Sequence, residues 1–123
     1  MSNNEGASQP EATRPVALLF STDLMFGVQL QNMARAGGFK HITVRPGAPL
    51  PPGDLLIVDL AARGDWETAI REAAARGTRI IAFGPHIDAA SRKRAKDAGA
   101  ERVLANSNLA RDLPGILKEM HNA

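Results

Sequence analysis

Three runs of this chain, VALLF (16–20), LLIVDL (55–60) and RIIAF (79–83), are apolar without the every-other-residue polarity of a strand that has one wet face. Strands buried on both faces belong to parallel sheets covered by helices above and below. Two shorter β-rich runs, HITV (41–44) and RVLA (102–105), join them. Helical patterns fall within 23–36, at about 65–76, at about 88–98 and near the C-terminus. The repeating strand–helix order predicts an α/β three-layer sandwich around a five-stranded parallel sheet.

Local punctuation agrees. Asp65 and Asp88 stand where N-caps belong, and Gly77 and Gly99 follow the last periodic residues of the next two helices, where a left-handed cap is needed. Phe26, Leu30, Met33, Ala34 and Gly37 share one face of the first helix, a pattern of core packing. Trp66, early in its helix, is expected to pack on the sheet or the preceding loop. Pro114 is tolerated only in a first helical turn, so the last helix is expected at 112–121 with 106–111 as a loop.

The segment between the second and third strands, RPGAPLPPGD, holds four prolines and two glycines and cannot be a helix. A polyproline strap advances ~3.1 Å per residue, so eight to ten residues reach roughly 25–31 Å. Returning along a five-residue strand and stepping over one neighbour needs roughly 20 Å. The strap suffices, and the sheet can stay fully parallel.

Residues 1–14, MSNNEGASQPEATR, carry almost nothing to bury and read as a disordered tail, with the folded domain over 15–123. The absence of cysteine excludes thiol catalysis, iron–sulfur clusters and cysteine-ligated zinc. The apolar runs are far shorter than the roughly 20 residues of a membrane-spanning helix, and the polar N-terminus lacks a signal-peptide pattern, so a cytoplasmic location is expected. Net charge is +2 from 15 basic and 13 acidic residues, too slight to make nucleic acid the leading partner. Four Phe, one Trp and no Tyr argue against base-stacking surfaces and flavin sites. The Arg63-Gly64-Asp65 tripeptide reads as a turn at Gly64 followed by a helix cap.

With these elements in place the chain resembles the receiver domain of two-component response regulators over residues 15–121. DLLIVDL resembles the receiver's third strand, which ends on the phospho-accepting aspartate and so places Asp59 at that position. RIIAFGPHIDAASRKRAKDAGAERVLA is similar to the stretch from the fourth strand to the fifth, and the first strand, its helix and GGFKHITV fall at receiver spacing. The resemblance implies a flavodoxin-like strand order 2-1-3-4-5, with the Pro-rich strap replacing the second receiver helix, and ligands outside the strands' carboxyl ends.

Receiver chemistry also needs an acidic pair after the first strand to hold Mg²⁺, a hydroxyl after the fourth and a lysine after the fifth. By the resemblance these positions fall on Ser21 and Thr22, with Asp23 one place late, on Gly84 and on Asn106. Neutral hydroxyls make weak Mg²⁺ ligands, glycine has no hydroxyl, and an amide cannot supply a cationic charge. Asp59 is thus expected to be vestigial, a strand-end carboxylate bonded to nearby loop amides. No cofactor is expected, with Mg²⁺ kept as a minor alternative.

The expected function is that of a pseudo-receiver, not an enzyme, acting in regulation through contacts with a protein partner or a second copy of itself. One alternative is a small-molecule or anion-binding domain using the rim of Ser21, Thr22, Asp59, Gly84, His86 and Asn106, where His86 supplies a titratable group. A second is weak nucleic-acid binding through the basic helix 89–98. Arg92, Lys93, Arg94 and Lys96 on that helix are the expected partner surface, since in receivers this helix, the fifth strand and the last helix mediate partner contact.

Overall fold

The computed structural model describes residues 13–85 and 88–121. Nine elements follow in order: β1 (Val16–Phe20), α1 (Leu24–Ala36), β2 (Lys40–Val44), β3 (Leu55–Asp59), α2 (Trp66–Ala75), β4 (Arg79–Gly84), α3 (Ala89–Ala98), β5 (Arg102–Ala105) and α4 (Asn106–His121). The strands form one sheet in the order β2-β1-β3-β4-β5, with every pair parallel. The strand runs read from the sequence hold to within a residue or so at each end.

Alternation along the strands splits the core into two layers. Leu18, Phe20, Leu56, Val58, Ile80 and Ala82 pack with Ile70 and Ala73 of α2 and Ala95 and Ala98 of α3. Ala17, Leu19, Leu55, Ile57, Ile81 and Phe83 face the other way, onto Leu30 and Ala34 of α1 and Leu109, Leu113, Ile116 and Leu117 of α4. All five residues of β3 are buried, which is why its apolar run never alternates. Asp23, Asp65 and Asp88 cap α1, α2 and α3, each accepting from a backbone N–H three residues on.

Residues 45–54 cross from β2 to β3 through turns and extended chain, without a helix. Leu50, 5 % exposed, anchors this strap in the α2–α3 layer. Its carbonyl accepts from Arg76 Nη1 at 2.7 Å, and the Gly53 carbonyl accepts from Thr78 Oγ1 at 2.9 Å. A Cβ on Gly53 would lie 2.6 Å from Leu18 Cγ, so only glycine lets the strap rest this close to β1.

One expectation fails. Residues 106–111 are the first turns of α4, which starts directly after β5 rather than at Asp112 and carries Pro114 inside it. The reason is a stripe at helical spacing, Leu109, Leu113, Ile116 and Leu117, that runs straight across the proline and is fully buried. Burying each such side chain contributes about 1.5–3 kcal/mol. An interior proline costs roughly 3 kcal/mol. Leu109 and Leu113 together outweigh it, and Ala110 and Pro114 both lie on the exposed side, where water can reach the carbonyl left without a partner.

Candidate functional site

The parallel register brings the carboxyl ends of β1, β3, β4 and β5 to one level, with Phe20 beside Val58, Asp59 beside Phe83 and Gly84 beside Ala105. The segments that leave these ends surround a cleft of about 360 Å³, lined by Thr22, Asp23, Phe26, Asp59, Ala61, Arg63, Pro85 and Asn106. Five of the positions singled out in the sequence therefore meet here: Thr22, Asp23, Asp59 and Asn106 line it, and Ser21 bonds to Asp59. Gly84 ends β4 with its backbone buried and no side chain to offer. His86 lies outside the described residues.

Asp59 is 3 % exposed, and both its oxygens are engaged by the protein itself. Oδ2 accepts from Ser21 Oγ at 3.1 Å and Oδ1 accepts from the Ala61 N–H at 2.9 Å. The Ser21 oxygen in turn accepts from the Asp23 N–H at 3.2 Å. Asp23 has spent one oxygen on its cap to the Phe26 N–H. Thr22 Oγ1 accepts from the Arg63 N–H at 3.2 Å, which ties the loop after β1 to the loop after β3. Asn106 differs: its Oδ1 is buried and has no hydrogen-bond partner. Such an orphan acceptor is costly in a native fold and marks a place where a donor is wanted.

The sequence reading did not single out Phe26 or Arg63 as cleft residues. Arg63 sits two residues past the Ala61 amide that holds Asp59, so its distance from the third strand's end was the available signal. Phe26 belongs to the core face of α1 by its spacing, and its ring meets Phe83 at 5.6 Å between centroids. It serves both as core and as cleft wall. Gly64 adopts φ +103, as the turn required, and a Cβ there would meet Pro46 at 2.6 Å.

Two of the four cations of the basic helix are ion-paired and a third is bonded to backbone. Arg92 Nη1 donates to the Val103 carbonyl at 3.1 Å, Lys93 pairs with Asp97 at 2.7 Å, and Arg94 pairs with Glu67 of α2 at 2.7 Å. Arg94 also stacks over Trp66, 4.9 Å from its ring centroid, so Trp66 packs against both the α2–α3 core and a cation. Hydrogen bonds from Arg94 and Arg71 hold the Glu67 carboxyl below its usual range. Lys96 is exposed on the same helix.

A larger groove of about 580 Å³ runs between the strap and α2. Its two carboxylates are committed, Asp65 to the α2 cap and Glu72 to Arg76. Among the described residues no three His, Asp or Glu side chains gather as a metal site, and no helix is long and apolar enough to cross a membrane.

No family model matches the chain, and no curated protein matches it significantly. Solved structures do. The BeF3-activated DrrB receiver domain superposes with a TM-score of 0.78 at 13% identity, covering 90% of this chain and 100% of that one. The receiver domain of a sensor histidine kinase from Pseudomonas aeruginosa, with a magnesium ion coordinated in its active site cleft, gives 0.74 at 22%, again over 90% and 100%. A response regulator from Thermotoga maritima gives 0.72 at 15%, over 89% and 99%. At these identities the likeness concerns the fold, and the fold is that of a receiver domain, with the flavodoxin-like strand order 2-1-3-4-5.

Proposed function

We propose that this receiver-folded chain does not take up a phosphoryl group and acts in regulation through contacts with other proteins, a second copy of itself included. The observation that carries the reading is the state of Asp59, whose two oxygens are both satisfied by Ser21 and Ala61. A nucleophilic carboxylate needs a free oxygen, a cation to neutralise the incoming phosphoryl oxygens and a donor to hold them. Here a hydroxyl stands where a carboxylate would hold the cation, Gly84 has no side chain, and Asn106 is neutral. Asp23 has an oxygen left, but it is one carboxylate on an exposed cap. This donor set fits Mg²⁺ poorly, so no metal step enters the function. The reading goes with a cytoplasmic regulatory protein rather than an enzyme.

The test is an amide NMR spectrum of the full chain with and without beryllofluoride or acetyl phosphate plus Mg²⁺. The spectrum should stay unchanged. Shifts clustered at Asp59 and in the loops at Asp23, Gly84 and Asn106 would overturn the reading.

A second reading, a small ligand in the cleft, is favoured by Asn106 Oδ1, buried without a partner. The unused acceptors of the cleft are Asn106 Oδ1 and the second oxygen of Asp23, and its one cationic side chain is Arg63. A ligand with hydroxyl or amino donors fits this balance better than a bare anion. Thermal stabilisation by a polyol or amine, lost in Asn106→Leu, would support it, and a screen without a hit would count against it.

A further inference from the structure

We infer that the outer edge of β2 is a docking strand for an extended, acidic peptide segment of a partner protein. This deepens the protein-contact reading above and rests on it. β2 lies at one end of the sheet and pairs only with β1. The Lys40 N–H donates to Pro15 O at 2.8 Å, so by alternation Lys40, Ile42 and Val44 turn their backbone groups toward β1. His41 and Thr43 then turn theirs outward, leaving two N–H and two C=O groups at the spacing an added strand would use.

The opposite edge is partly occupied by comparison. On β5 the outward Val103 carbonyl is taken by Arg92, and Arg102 is held by Glu119. No side chain blocks β2 in that way among the described residues. The strap also leaves part of its face bare: Ile42 is 41 % exposed, on the side of the sheet that α2 and α3 cover elsewhere.

Charge selects the occupant. A pocket of about 340 Å³ wraps the foot of β2, and its polar lining is Arg14, Arg35, Lys40 and His41, with no carboxylate. Arg45 follows the strand directly. No ion pair among the described residues uses Arg35, Lys40 or Arg45, whereas seven other basic side chains are paired. Pairing β2 with a second copy would set these cations against each other. A basic edge strand therefore resists self-association, the usual purpose of an edge lysine, while remaining open to an acidic strand.

The test titrates the full chain, by amide NMR, with an end-blocked decapeptide of alternating glutamate and valine, and separately with its lysine–valine counterpart. The acidic peptide should perturb residues 39–45 and Arg35, and at saturating concentration slow exchange of the His41 and Thr43 amides by about tenfold or more. Binding should weaken with salt. The double variant Arg35→Glu with Lys40→Glu should reverse the preference between the peptides, and Thr43→Pro, which removes one outward N–H, should weaken both. No perturbation at millimolar peptide, equal response to the two peptides, shifts confined to α3, or concentration-dependent dimerisation through β2 would each overturn the inference. None of these outcomes depends on how Asp59 responds to beryllofluoride, so failure here is distinguishable from failure of the pseudo-receiver reading.

Discussion

The Ser21 hydroxyl donates to Asp59 Oδ2 at 3.1 Å, joining two residues 38 positions apart at the ends of neighbouring strands. A serine in this place supplies a hydrogen bond to the buried carboxylate where a second carboxylate would supply a charge. Ser21→Asp should exchange one for the other. Without metal, the like charges and the lost bond should destabilise the fold by about 1–3 kcal/mol. Millimolar MgCl₂ should then raise the melting temperature of the variant and leave that of the natural chain unmoved. A natural chain that responds equally to Mg²⁺ would mean that Asp59 and Asp23 hold the ion without help.

Asp59 itself should tolerate loss of charge better than loss of its acceptor atoms. Asp59→Asn keeps an oxygen for the Ala61 N–H, and its amide can donate to Ser21 Oγ, so stability should stay within about 1 kcal/mol. Asp59→Ala strands both donors and should cost about 1–3 kcal/mol. Urea denaturation of the two variants checks the ordering. An asparagine variant as damaged as the alanine one would show that the carboxylate charge, rather than its hydrogen bonds, holds the rim together.

Much of this architecture is written in short-range pattern. The unbroken run Leu55–Val58 requires a strand buried on both faces, and Asp65 and Asp88 mark helix starts that the structure reproduces. The convergence of Ser21, Thr22, Asp23, Asp59 and Asn106 on one rim followed from strand order, through the resemblance. What was hidden lies in contacts between distant residues. Nothing local says that Arg94 reaches Glu67 and Trp66 on the neighbouring helix, or that Arg92 spends its guanidinium on the Val103 carbonyl. The α4 start departs from the local rule about Pro114 because the burial stripe that overrides it takes its worth from the sheet beneath.

The Glu67 bridge gives the fold a pH dependence of definite sign. Its carboxyl is held below the ordinary value of 4.5 in the folded chain, chiefly by the hydrogen bond from Arg94 and then by that from Arg71. Stability from this source is therefore present above pH 4.5 and is lost as pH falls through the lower folded value. Glu101, held down by Arg79, acts in the same direction. Calorimetric melts on acidification below about pH 5 should show a declining melting temperature, with a shallower decline in Glu67→Gln. An unchanged slope in that variant would mean that solvent screening cancels the bridge.

Pro114 is the residue of α4 that works hardest against the helix it occupies. It has no N–H for the Ala110 carbonyl, and its exposed ring contributes nothing to the Leu113–Leu117 contact with the sheet. Pro114→Ala should restore the bond and the favoured helical geometry. The gain is partly offset because the unfolded chain becomes freer by about 0.4–1 kcal/mol, which leaves a net stabilisation of about 1–3 kcal/mol. The variant should unfold at higher urea with the same slope, and the amides around 111–117 should exchange more slowly. A midpoint that stays or falls would show that the backbone around Ala110 has already relaxed to suit the proline, and that the Leu109–Leu113 turn depends on that relaxation.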